Sequence, residues 1–206
     1  MIVLFRGKIM PNDQLNSVKY LLNCHNLESE VYLLYSTASK KLNRPELSCV
    51  LRALAQDSLK HAKVIEELFR PLVFISFENG KYDKNFNKLS AEIRKSTDYL
   101  NSIKTIEDDE IPDLLKDLTR VEDTLLDFYC YFIDSEMLKV FANKLSTSTD
   151  MTRENLLFIM LAMKEDNIKH RNMLIESLFF FNKNKLKNKD LTPMVKFKNP
   201  DAWVQA

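Results

Sequence analysis

The stretch "QDSLKH" (residues 56–61) recurs in the last third of the chain as "EDNIKH" (residues 165–170). Laid over one another at an offset of 109, residues 51–61 and 160–170 match Ala53 with Ala162, Asp57 with Asp166, Lys60 with Lys169 and His61 with His170. Leu51/Met160, Leu54/Met163, Leu59/Ile168 and Ser58/Asn167 keep the character of the positions between. Residues four apart share one face of a helix. Each Asp–His pair therefore reads as a polar spot on a helical row, and the row occurs twice.

The neighbouring sequence supports helices on both sides of the repeat. Val18, Leu21, Leu22, His25, Glu28, Tyr32, Tyr35 and Leu42 recur at three- and four-residue steps, so a first helix is expected over about residues 12–42. Asn43 is placed to cap a second helix with Pro45 at its first position, where a missing N–H costs nothing. That helix carries the row Val50, Leu54, Asp57, His61, Val64, Leu68 and stops at Pro71. A weaker stretch follows, with one modest helix over residues 89–103. The acidic "EDDE" before Pro112 suits the positive end of a helix dipole, so a third long helix is expected from there to about Ser146 or beyond. "STSTDMT" breaks the chain, and a fourth helix is expected over residues 153–182. Two helical hairpins joined by one long crossover is a four-helix-bundle connectivity. The thirty-odd residues between the hairpins are too many for a simple up-down-up-down loop.

Composition agrees with an all-α chain. Only 2 glycines and 6 prolines occur in 206 residues, and 45% apolar content is enough to build a core. Thirty basic against 29 acidic residues leave a formal net charge of +1, which favours neither nucleic acid nor an anionic membrane. Cys24, Cys49 and Cys130 are odd in number and never form a CxxC pair, which argues against a disulfide framework and suits the cytoplasm. "MIVLFRGKIMP" is too short for a signal-peptide core, and Glu176 interrupts "MLIESLFFF", so no membrane segment is expected.

Carrying the repeat back at an offset of 108 pairs Val18 with Leu126, Leu21 with Tyr129, Cys24 with Phe132, Tyr32 with Val140 and Glu28 with Glu136. Both glutamates then fall on apolar faces, where an unpartnered charge costs several kcal/mol. Counting outward from the first turn puts Glu28 level with Asp57 and His61. Glu136 meets Asp166 and His170 only if the third helix runs through "STST"; if it ends near Leu145, Asp127 is the nearest carboxylate. The expected site is Glu28, Asp57, His61, Glu136, Asp166 and His170. Carboxylate oxygen and imidazole nitrogen suit iron, manganese or zinc, and four negative charges call for roughly two divalent cations.

On this topology and ligand inventory, residues 12–182 resemble the ferritin-like superfamily in its rubrerythrin-like, di-iron carboxylate branch. Members place one Glu from each of two helices and a Glu-x-x-His from each of the others around two metals. The resemblance implies Glu28 and Glu136 as the single glutamates and His61 and His170 as the histidines. It also implies two iron or manganese ions and a reaction with oxygen or peroxide, that is, an oxidoreductase using an external electron donor. The chain departs from the pattern, because Ser58 and Asn167 stand three before each histidine and the Asp residues come four before. That departure leaves two metals, one or none open. It also leaves open a metal-free ferritin-like bundle, with each histidine satisfied by Asp57 or Asp166, serving as a structural or interaction module.

His25 reads as a core-edge residue, and Tyr32, Tyr35 and Tyr129 read as core filling. Residues 183–206 read as a basic, solvated tail whose Met194, Phe197 and Trp203 pack on the bundle or on a second subunit. With Phe179, Phe180 and Phe181 as the matching patch, a homodimer is expected.

Overall fold

The computed structural model describes the backbone of residues 4–5, 8–9, 12–72 and 84–190, with side chains placed over 16–71 and 85–183. Six helices make up nearly all of it: α1 (Asn12–Lys41), α2 (Pro45–Phe69), α3 (Lys84–Ser102), α4 (Ile111–Asp134), α5 (Glu136–Ser146) and α6 (Arg153–Asp190). Two two-residue strands, β1 (Leu4–Phe5) and β2 (Lys8–Ile9), pair antiparallel with Leu4 opposite Ile9. No described helix is long and apolar enough to cross a membrane. Met194, Phe197 and Trp203 lie outside the described residues.

α1 and α2 pack along one another after a turn of three residues. Pro45 opens α2 as expected, but the capping position is Arg44 rather than Asn43. Arg44 is extended there and makes no side-chain cap; its guanidinium instead pairs with Asp108. The Pro-containing tripeptide Arg70–Leu72 ends α2 as a single 3-10 turn.

The described part of the crossover, residues 84–110, packs more closely than its weak periodicity suggests. α3 begins at Lys84 and lays Phe86, Leu89, Ile93 and Leu100 into the core beside α1. The Phe86 ring stacks on Phe128 of α4 at 4.0 Å. Polar contacts fasten it further: Arg94 Nη2 lies 2.6 Å from Glu30, and Ile106 N–H donates to the Lys41 carbonyl at 2.9 Å.

The third long helix is interrupted. Ser135 turns extended (φ −89°, ψ 164°), closes α4 and caps α5, its Oγ accepting from Met137 N–H at 3.2 Å. α4 then packs along α6 and α5 packs against α1, while α2 meets α6. α6 continues past Asn182 to Asp190.

Between these helices Phe132 is fully buried, stacked on Tyr20 at 5.9 Å and edge-on to Phe141 at 6.3 Å. Truncating it removes apolar contacts that neighbouring rings cannot replace. Phe132→Ala should cost about 3–5 kcal/mol in urea unfolding, the range for large buried aromatic truncations; a loss below about 1 kcal/mol would mean that the aromatic cluster is not packed as described.

Candidate functional site

Two glutamates sit at the centre of the apolar core. Glu28 of α1 is 0% exposed and Glu122 of α4 is 1% exposed. Each lies seven residues before a fully buried tyrosine, Tyr35 and Tyr129, and the two helices exchange hydrogen bonds. Tyr129 O–H donates to Glu28 Oε1 at 2.7 Å, and Tyr35 O–H donates to Glu122 Oε1 at 2.5 Å. Burial, reinforced by the neighbouring carboxylates, pushes both phenols far above their ordinary pKa, so they remain donors.

Two histidines complete the centre. His61 of α2 sets Nδ1 3.2 Å from Glu28 Oε1 and Nε2 3.3 Å from Asp166 Oδ2. His170 of α6 sets Nε2 3.2 Å from Asp57 Oδ2, with Nδ1 3.6 Å from Glu122 Oε2. That last contact is too long for a hydrogen bond and becomes an ion pair when the ring is protonated. The rings face one another, 6.0 Å between centroids and 25° between planes. Lys60 closes the array from outside, donating to Asp57 Oδ1 at 2.9 Å and to Asp166 Oδ2 at 3.0 Å.

The arrangement has an approximate two-fold pattern. At an offset of 94, Glu28 matches Glu122 and Tyr35 matches Tyr129; at 109, Asp57 matches Asp166 and His61 matches His170. The buried rows agree throughout: Leu21, Cys24, Leu27, Val31 and Leu34 fall on Leu115, Leu118, Val121, Leu125 and Phe128, all buried. The two offsets differ by fifteen residues, because the second hairpin places eighteen residues, Ser135, α5 and the turn after it, where the first has a turn of three.

Of the six expected residues, the structure gathers Glu28, His61 and His170 in the core and places Asp57 and Asp166 at its rim. Glu136 is corrected. It is the first residue of α5, its side chain is 81% exposed, and it pairs with Lys139 at 3.3 Å. The break at Ser135 turns it to solvent, where its charge suits a helix N-terminus. Asp127, the other candidate, is exposed as well. The helix-three carboxylate is Glu122, and the paired Glu-x6-Tyr spacing was the signal for it. Tyr35 and Tyr129 fill the core and also hold the glutamates. His25 is half-buried, with Nδ1 3.1 Å from Asn26 Oδ1.

The electrostatics divide inner from outer groups. Burial would lower both imidazole pKa values, but the carboxylates facing them, Glu28 and Asp166 for His61 and Glu122 and Asp57 for His170, outweigh it and raise both. Partial burial works against the outer carboxylates, yet Lys60 and the histidines hold Asp57 and Asp166 below the usual range. Burial raises Glu122, only partly offset by His170 and Tyr35. Three buried polar atoms have no hydrogen-bond partner here: Glu28 Oε2, Glu122 Oε2 and His170 Nδ1. Asn167 Nδ2, three residues before His170, is likewise buried without one. Among the described residues, no three His, Cys, Asp or Glu side chains are gathered at metal-ligand spacing.

Comparison of the chain with protein-family models, with curated proteins and with solved structures finds no match.

These shifts set the stability of metal-free protein against pH. A raised histidine pKa contributes stability that is complete below the unfolded value of 6.5 and is lost as pH rises through the folded one. The lowered Asp pKa values contribute stability present above 3.8 and lost as pH falls. Urea midpoints of metal-free protein should therefore peak between about pH 4 and 6.5 and decline toward pH 9. His61→Gln/His170→Gln should flatten the upper limb; midpoints that climb from pH 6 to 9 in the unsubstituted chain would contradict the pairing.

Proposed function

We propose that the chain is a ferritin-like four-helix bundle whose buried Glu28, Glu122, His61 and His170 hold divalent iron or manganese for reaction with oxygen or peroxide. The observation that carries this reading is a buried set of atoms without hydrogen-bond partners at the meeting of four helices: Glu28 Oε2, and Glu122 Oε2 facing His170 Nδ1 at 3.6 Å. Buried polar atoms are nearly always hydrogen-bonded, and two carboxylate oxygens and an imidazole nitrogen left without hydrogen bonds in a core are a donor set that suits a divalent cation.

The inventory fits one divalent ion better than two. Two metals were expected from four core carboxylates, but Asp57 and Asp166 are at the rim and spend their charge on Lys60 and, for Asp166, Lys169. The two inner carboxylates match a single divalent charge. Two imidazoles with carboxylate oxygen are also a common set around non-haem iron. Iron or manganese bound there would supply the electron transfer to oxygen or peroxide.

The surrounding residues are arranged to orient such ligands. Tyr35 and Tyr129 fix one oxygen of each glutamate and leave the other free. With a proton on Nε2, each histidine donates to a rim Asp and presents Nδ1 inward, the usual outer support of a ligating imidazole. Ligation exchanges the Nδ1 protons for the cation, so binding should release protons.

One observation favours a second reading, a metal-free bundle acting as a structural or interaction module. Both His61 nitrogens face carboxylates, so a doubly protonated ring balances Glu28 with no metal.

Elemental analysis separates the two. Protein expressed with iron and manganese supplements should retain about one equivalent per chain, and Glu28→Gln/Glu122→Gln should lose at least about nine-tenths of it while keeping its helical circular dichroism. Absence of metal from the unsubstituted protein, with no proton release on adding Fe(II) or Mn(II) anaerobically, would overturn the metal reading in favour of the second.

A further inference from the structure

α6 is apolar on two opposite sides. One side carries the buried row Leu156, Met160, Met163, Asn167, His170 and Leu174. The other carries Phe158, Leu161, Ile168, Ile175 and Phe179, exposed by 74%, 39%, 38%, 40% and 64%. With Glu165 and Asn172 between them, these residues follow alternating steps of three and four without a break. That is the 3.5-residue repeat of a seam between two helices. It runs about 32 Å, at 1.5 Å per residue over residues 158–179.

The repeated helix α2 is an internal control. At the offset of 109, Cys49, Arg52, Gln56, Leu59, Lys63, Glu66 and Arg70 stand where α6 has Phe158, Leu161, Glu165, Ile168, Asn172, Ile175 and Phe179. Four of these seven are charged, and all but the half-buried Leu59 are exposed. The fold therefore tolerates a largely solvated surface at this place, and packing among the described residues does not explain the apolar residues of α6. Five large apolar side chains in one continuous row are unusual for a surface that stays in water.

We propose that this face is a homodimer interface, two copies of α6 packing antiparallel about a two-fold axis with Ile168 of each chain opposite Asn172 of the other. A seam repeat is self-complementary, so a second copy of this chain fits it without further invention, and a two-fold arrangement closes the assembly. Charge selects the orientation. Parallel pairing would set Glu165 against its own copy within the seam and Lys164 beside Lys169. Antiparallel pairing lifts Glu165 off its copy and sets Lys169 beside Glu176 of the second chain, twice over by symmetry. Arg171, on the opposite flank, is already engaged by Asp123 of its own chain at 2.5 Å. This interface is independent of whether the buried site takes a metal.

Sedimentation equilibrium of the full chain at about 20 μM tests it. The mass should be twice 24.2 kDa, and Ile168→Glu/Ile175→Glu should sediment as a monomer with unchanged helicity, weakened at least about a hundredfold. Because both residues are exposed, the substitution leaves the core intact. For orientation, chains carrying Leu161→Cys and chains carrying Phe179→Cys, each with Cys49→Ser and Cys130→Ser, should crosslink to one another on oxidation and not to themselves. A monomeric unsubstituted chain, a glutamate variant that stays dimeric, or self-crosslinking at either position would overturn the proposal.

Discussion

Two carboxylates placed in a dry core impose the conditions that the rest of the structure meets. Each ionised group loses several kcal/mol of hydration on burial, and only close, directed partners restore it. Glu28 and Glu122 receive those partners from other helices: a tyrosine across the α1–α4 contact and a histidine from the partner helix of each hairpin. Four helices are thereby held in register by polar contacts that a purely apolar core would not specify. Slippage of any one by a turn would strand a charge.

The rim shows how the two halves are joined. Asp57 and Asp166 each belong to one hairpin but accept from the histidine of the other, and Lys60 reaches both. The contact between α2 and α6 is thus as much ionic as apolar. Its exposed charges are individually weak, yet they fix the imidazole orientations on which the buried carboxylates depend. Substituting the inner residues should therefore be felt at the rim, and the reverse to a smaller degree.

Much of this was legible from the residues. The Asp-x3-His repeat located both histidines on one face of two helices, and Glu28 stood out as a charge on an apolar row. What the periodicity could not reveal was register along the axis. The offset of 108 that pointed to Glu136 differs from the structural offset of 94 by fourteen residues. Fourteen residues are nearly four complete turns, so apolar positions still fall on apolar positions and the wrong pairing looks sound. The break at Ser135 cannot be read from the pattern either, because the residues around it are acceptable in a helix; in the structure the serine is extended and its Oγ caps α5. The tyrosines were visible as core residues, but their hydrogen bonds run between helices distant in sequence. α6 hid its second apolar face because the buried row alone accounts for a helix.

The central claim is that positive charge or a cation must stand between the buried glutamates and their histidines. Nitrogen-15 NMR of the imidazole side chains in the metal-free chain addresses it most directly. The account predicts that His61 and His170 carry protons on both ring nitrogens to a higher pH than the ordinary value of 6.5, with His25 serving as a reference in the same spectra. Neutral imidazoles with bare Nδ1 at pH 6 would contradict it, because Glu28 and Glu122 would then lie in the core without the charge that justifies their place there.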